Sequence, residues 1–352
     1  MQFSLGYLTL ALLCIQLVSA GTISVCNSCQ YKSISKAIAS LPNNAESYTV
    51  LIAPGTYTEQ FTIARSNLVL KPASGTVTIQ YASGHDTSSK TGSTADSAVL
   101  TITGKNVMLQ DIVIANTLKQ THVANVALHV NAPQAYFKNV KIYGFQDTLL
   151  INRSGSAYFK NCWIEGSVDF IWGFGTGKRK RSIVYRISNY WPAIALGYFD
   201  KCVIASNQKG TSVTAQGNDS ANAPGGFYFN HCVFKATVPS GPLSKTYNPS
   251  MAFTSPAQFP DTCFFARPWG KYSRVIIMNS DIGNHIKPAG WSGWSDANPN
   301  TANVVYGEYK SFGARPWTNA RARFAKNLSD SQVAQYSAKK IFNGDVTWFK
   351  NR

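Results

Sequence analysis

Two aspartates recur in matching surroundings: Asp147 in Gly144-Phe145-Gln146-Asp147-Thr148-Leu149, and Asp169 in Gly166-Ser167-Val168-Asp169-Phe170-Ile171-Trp172-Gly173. Two carboxylates brought close together cannot both ionise cheaply. One then keeps its proton and the other its charge, the division that a general acid and a nucleophile require. The same pattern also describes a ladder of solvated turn aspartates, so the elements that carry the pair decide the matter. Other chemistries find little support. No G-x-S-x-G elbow is present, since Gly290-Trp291-Ser292-Gly293 fails at its last position. The five histidines are scattered without metal-ligand spacing, and the 16 acidic residues are too dispersed for a calcium cluster. No metal and no cofactor are expected.

The elements that would position the aspartates repeat. Ala135-Tyr136-Phe137-Lys138-Asn139 recurs letter for letter as Ala157-Tyr158-Phe159-Lys160-Asn161, at the same interval that separates the two aspartates. Weaker echoes are Phe199-Asp200-Lys201-Cys202-Val203-Ile204 and Phe229-Asn230-His231-Cys232-Val233-Phe234. Short alternating strands at such a period, with Gly, Asn and Asp between them, are a solenoid signature. An all-β, right-handed, single-stranded parallel β-helix is expected, with short capping helices at its ends. The caps are placed at 31–41 and at 329–341, where they would cover an otherwise open core. In a solenoid, residues one coil apart sit nearly above each other, which brings Asp147 and Asp169 together. A β-sandwich with chance local similarity is the competing fold.

The repeat has one irregularity. The interval from Cys162 to Cys202 is nearly twice one coil, and the excess contains Lys178-Arg179-Lys180-Arg181-Ser182-Ile183-Val184-Tyr185-Arg186. Residues 178–196 read as a surface loop, a basic patch for an anionic substrate, or retained intron sequence.

Composition places the chain outside the cell. Residues 1–20 carry no charge and end in Val18-Ser19-Ala20, which reads as a secretory signal peptide followed by one domain over 21–352. No later stretch reaches transmembrane length, so no membrane partner is expected after cleavage. Removing the leader takes Cys14 and leaves six cysteines. Among them, Cys26-x-x-Cys29 reads as a local disulfide or two surface thiols. Sequons at Asn152, Asn218 and Asn327 are consistent with glycosylation. The net charge of +17 implies affinity for polyanions. No nucleic-acid-binding motif accompanies it, so no nucleic acid partner is expected, and an acidic extracellular polysaccharide fits charge and location together.

The aspartate segments resemble the two central motifs of the pectin methylesterases, and the chain is similar to a secreted member of fungal type. Three more segments agree, in the family's order: Gly55-Thr56-Tyr57-Thr58-Glu59, Ala266-Arg267-Pro268-Trp269 and Ile286-Lys287-Pro288-Ala289-Gly290-Trp291. The resemblance implies hydrolysis of galacturonate methyl esters in pectin by a monomer. Asp169 would be the nucleophile, Asp147 the general acid and base, and Gln146 an oxyanion donor. Arg267 would hold Asp169 ionised, and Trp269 and Trp172 would form a platform for sugar rings. A glycoside hydrolase would also pair two carboxylates, but would not need Gln146 or the Arg-Pro-Trp segment.

One position departs from the pattern. The family usually carries a second oxyanion glutamine one coil before Gln146, where this chain has Ala124. Loss of such a donor costs about 2.7–4 kcal/mol of transition-state stabilisation. Gln120, His122 and Asn125 lie in the same segment and are candidates to compensate. A non-catalytic pectin-binding protein is the alternative reading.

Overall fold

Short strands, each with an apolar inner face, coil around one long core in the computed structural model, which describes residues 21–86, 88, 91–175, 195–350 and 352. The described strands form three sheets of 11, 9 and 7 strands, and within each sheet a strand pairs parallel to the strand one coil away. The architecture is the expected all-β parallel β-helix. The duplicated segment is its clearest register: Ala135 pairs with Ala157, and so on to Lys138 with Lys160. The literal repeat is therefore one rung of the ladder met twice.

Alternation along these strands sorts the aromatics. Phe137, Phe159, Phe199 and Phe229 point inward and stack at 4.6, 4.7 and 4.6 Å between successive ring centres. Each such pair contributes about 0.5–1.5 kcal/mol beyond its burial. At the following turn, Asn139, Asn161, Lys201, His231 and Asn279 all adopt positive φ, between 50° and 56°. Asparagine tolerates this left-handed conformation better than most residues, which explains the Asn that closes both copies of the repeat.

The N-terminal helix is Ile34–Ala39, shorter than the expected 31–41. Ser33 caps its start, and Pro42 prevents continuation beyond Leu41. Ile34, Ala37 and Ile38 bury themselves over the end of the core. Glu59 of the Gly-Thr-Tyr-Thr-Glu segment accepts from Ser33 Oγ at 2.8 Å, Ile34 N at 2.8 Å and Ser35 N at 3.0 Å. That segment therefore fastens the cap.

The C-terminal helical segment is broken into Asp330–Val333, a 3-10 turn Ala334–Tyr336, Ala338–Ile341 and Thr347–Lys350, with Ser337 extended between two of the pieces. It starts beside the last coil, where Tyr309 Oη donates to Asp330 at 2.8 Å, and then runs back along the outside of the 11-stranded sheet. Its aromatics cover the outward tyrosine row. Tyr336 meets Tyr228, Phe342 meets Tyr198, and Phe349 stacks on Tyr158 at 4.0 Å. The breaks let side chains meet successive rungs of the sheet.

Cys26 and Cys29 form a disulfide. Cys162, Cys202, Cys232 and Cys263 are buried free thiols. The span 178–196 lies outside the described residues except for Ala195 and Leu196. On either side the ladder keeps its pairing, Ser156 with Leu196 and Ile171 with Thr214.

Candidate active site

Both aspartates lie in turns that lead from the 9-stranded into the 7-stranded sheet. Asp147 falls between strands Lys141–Tyr143 and Leu149–Ile151, and Asp169 between Trp163–Gly166 and Ile171–Gly175. Each stands just before a paired position, because Leu149 is opposite Ile171. The two aspartates thus occupy one level in successive coils. Both take left-handed backbone, φ 65° at Asp147 and 50° at Asp169, which aspartate tolerates. Asp147 N donates to Val168 O at 3.0 Å and Asp169 N to Ser212 O at 2.8 Å, so the turns are locked to their neighbours. The glycine that opens each turn is required by its tightness. A Cβ on Gly166 would lie 2.2 Å from Phe170 Cβ, and one on Gly144 would lie 2.6 Å from Thr148 Oγ1.

Arg267 arrives from two coils further on, just after the strand Phe264–Ala266. Its Nε donates to Asp169 Oδ1 at 2.9 Å and to Oδ2 at 3.1 Å, while Nη2 donates to Oδ2 at 2.5 Å. Asp169 is only 6% exposed, so this contact supplies most of what water would otherwise provide. The guanidinium carbon lies 4.5 Å from the ring centre of Trp294. Trp294 lies outside every motif in the sequence that carries the family resemblance. It lies shortly beyond Trp291, and only the folding of that loop over Arg267 reveals it.

Trp172 and Trp269 are on the outer face and not in the core. Trp269 is 38% exposed, and its ring lies 5.6 Å from Trp172 and 5.3 Å from Phe174. Trp172 Nε1 donates to the backbone oxygen of Asp147 at 3.0 Å, which ties the aromatic floor to the aspartate turn. Thr94, Leu150, Arg153, Trp172, Phe174 and Trp269 line a groove of about 470 Å³, which Trp172 joins to the Asp147 turn.

Burial and then the negative charge of Asp169 hold the Asp147 carboxyl well above the usual carboxylate range, with Arg267 opposing them. Burial also raises Asp169, and there the hydrogen bonds and charge of Arg267 offset part of the rise. Burial works to lower the Arg267 guanidinium, and its hydrogen bonds and attraction to Asp169 reverse that. The stronger opposition to ionisation thus falls on Asp147, while Asp169 has Arg267 bonded directly to it, an asymmetry that favours the proton on Asp147.

The oxyanion candidates divide. Gln146 is partly exposed, and its side-chain amide makes no hydrogen bond to another described residue. Ala124 is fully buried and pairs through its backbone with His85. Two of the candidates to replace its missing donor are committed elsewhere. Asn125 Oδ1 accepts from Phe145 N at 3.1 Å, and Gln120 bridges Gln208 at 2.8 Å and Asn248 N at 3.0 Å. His122 is exposed.

A pectinesterase family profile matches residues 21–345. A putative pectinesterase from Arabidopsis thaliana is 29% identical over 89% of this chain and 76% of its own length. The solved carrot pectin methylesterase is 26% identical, with a TM-score of 0.73 over 92% of this chain and 93% of its own. That of Aspergillus niger is 27% identical, with a TM-score of 0.71 over 93% and 95%. The plant and fungal structures thus fit equally well and curated relatives come from plants, so the expectation of a fungal type is not supported. Sequence and fold agree along nearly the whole chain, which belongs to the pectinesterase family of carboxylic ester hydrolases.

Proposed function

We propose that this protein is a secreted, monomeric enzyme that hydrolyses galacturonate methyl esters in pectin through an acyl intermediate on Asp169. The observation that carries the reading is Asp169 gripped by Arg267, one coil from an Asp147 whose carboxyl is held well above its ordinary range by burial and Asp169, with Trp172 of the aromatic groove bonded to the Asp147 turn. An Asp169 carboxylate oxygen attacks the ester carbonyl carbon. The resulting oxyanion takes a hydrogen bond from the Gln146 amide. As the C–O bond to the methoxy group breaks, Asp147 gives its proton to that oxygen, and methanol leaves. Asp147, now a carboxylate, takes a proton from water while the water oxygen attacks the acyl carbon. Asp169 is released as carboxylate, Asp147 regains its proton, and the sugar keeps the new acid. Trp172 and Trp269 present their faces to the sugar rings, a use that fits their exposure.

Methanol release from highly esterified pectin tests this. Release by the native protein and its loss in Asp169→Ala support the reading. Pectin binding without any methanol makes the chain a binding protein instead, and unsaturated products make it a lyase. The leader at 1–20 lies outside the described residues, and secretion is tested by the N-terminus of the exported protein. Ser156 pairs with Leu196 and Ile171 with Thr214, so the described ladder is continuous on both sides of 178–194. A chain lacking 178–194 is expected to fold and to release methanol. A transcript that encodes the span removes the intron reading.

A further inference from the structure

No step of the reaction above uses Glu165, yet this carboxylate is fully buried, in the strand Trp163–Gly166 that leads into the Asp169 turn. None of the described ion pairs involves it. Four donors stand in for the water it has lost. Its Oε1 accepts from Ser240 N at 2.9 Å and Asn207 Nδ2 at 3.3 Å, and its Oε2 from Ser240 Oγ at 2.5 Å and Trp163 Nε1 at 3.1 Å. A strand position needs no carboxylate, so the cost of burying one points to what it holds. Two of the donors belong to Ser240, 75 residues on, at the start of the 3-10 turn Gly241–Lys245.

The segment that Ser240 opens lies across the turn of the oxyanion donor. Leu243 is fully buried in one apolar cluster with Ala115, Tyr143 and Phe145, and a Cβ on Gly241 would come within 2.9 Å of the Tyr143 ring. The far end is tied down at Gln120, which donates through N to Thr246 O at 2.9 Å and accepts from Asn248 N at 3.0 Å. Phe145, itself buried, thus sits beneath a strap fixed at both ends. Gln146 comes next, and its side-chain amide has no hydrogen-bond partner among the described residues, so its aim depends on the backbone that carries it. Asp147 is tied separately, through Val168 O and Trp172 Nε1. We propose that Glu165 is a positioning residue for the reaction: by holding Ser240 it keeps Leu243 on Phe145, and so fixes the turn from which Gln146 reaches the oxyanion. This rests on the function proposed above and adds a residue that its steps do not use.

Glu165→Gln keeps the length of the side chain but turns one acceptor into a donor that faces other donors. It is expected to lower kcat by about 10- to 100-fold, with KM within about twofold because Trp172 and Trp269 are untouched. In a Gln146→Ala protein the same change should cost less than about threefold, because the group it positions is gone. Ser240→Ala, which removes one donor and leaves the carboxylate, should give a smaller loss with the same dependence on Gln146. It carries the test if Glu165→Gln does not fold. Hydrogen exchange supplies a readout free of activity. The amides of 143–147 should exchange faster in either variant, while those of the rung at 157–159 keep their protection. Losses of equal size with and without Gln146 overturn the proposal, and so does unchanged exchange at 143–147. A native protein that releases no methanol would sink the catalytic reading instead, and exchange at 143–147 would still decide whether Glu165 fixes the turn.

Discussion

Arg267 is held on two sides, by the Asp169 carboxylate at 2.5–3.1 Å and by the ring of Trp294 at 4.5 Å from its guanidinium carbon. Trp294 therefore acts on Asp169 through the arginine, as a positioning residue. A cation–π contact of this kind contributes about 0.5–2 kcal/mol. Trp294→Leu is expected to lower kcat by about 3- to 20-fold and to move the acid limb of the pH–rate profile upward, because Asp169 is less well held as an anion. Trp294→Phe should recover most of both. An unchanged acid limb would reduce Trp294 to a packing residue. Arg267→Lys, which lacks the planar fork, should be more damaging than Trp294→Leu.

Asp147 links activity to stability. Its carboxyl titrates above its unfolded value of 3.8, because burial and Asp169 oppose its ionisation. A raised carboxyl favours the folded state below the unfolded pKa, and that contribution is lost as pH rises through the folded value. Asp147→Asn cannot ionise. Relative to it, the native protein should lose stability progressively above about pH 4. Urea unfolding at pH 4 and pH 8 measures the effect, with the variant gaining ground at pH 8 while releasing no methanol.

At Ala124 the expected change is a gain. An oxyanion donor is worth about 100- to 1000-fold in kcat where one is removed. Ala124→Gln, one coil from the free amide of Gln146, should raise kcat by at least about tenfold with little change in KM. Steady-state kinetics on pectin check this, and an unaltered kcat would mean that another group already fills the role.

Two buried histidines govern the acid side of stability. Burial lowers His129 to about 4, against a small opposing attraction to Asp96, and lowers His285 to about 4. His129 Nε2 and both ring nitrogens of His285 lack a well-formed hydrogen-bond partner. The unfolded chain takes up these protons near pH 6.5 and the folded chain only near 4, so stability falls as pH drops through that window. Each histidine contributes roughly 3 kcal/mol to the fall. Chemical denaturation at pH 7.5 and 4.5 should show a smaller difference for His285→Leu than for the native protein.

Repetition in the chain was enough to specify the fold and the meeting of Asp147 with Asp169. A residue one repeat further on must land one rung above, and strand alternation then decides which aromatics are inside. Asp147 and Asp169, with the glycines that let their turns close, were legible because their contacts are local to adjacent coils. Arg267 and the tryptophans were reachable only through motif resemblance. Arg267 stands 98 residues from its partner Asp169, a separation that no local pattern encodes. The fates of equivalent-looking residues were decided only in three dimensions. The sequons at Asn218 and Asn327 read alike, yet Asn218 is 1% exposed and donates to Gly225 O and Tyr272 O, while Asn327 is exposed. The paired carboxylates themselves show the same limit. Sequence placed two like groups side by side, and the physical difference between them is tertiary: burial and the charge of Asp169 raise Asp147, while Arg267 bonds directly to Asp169.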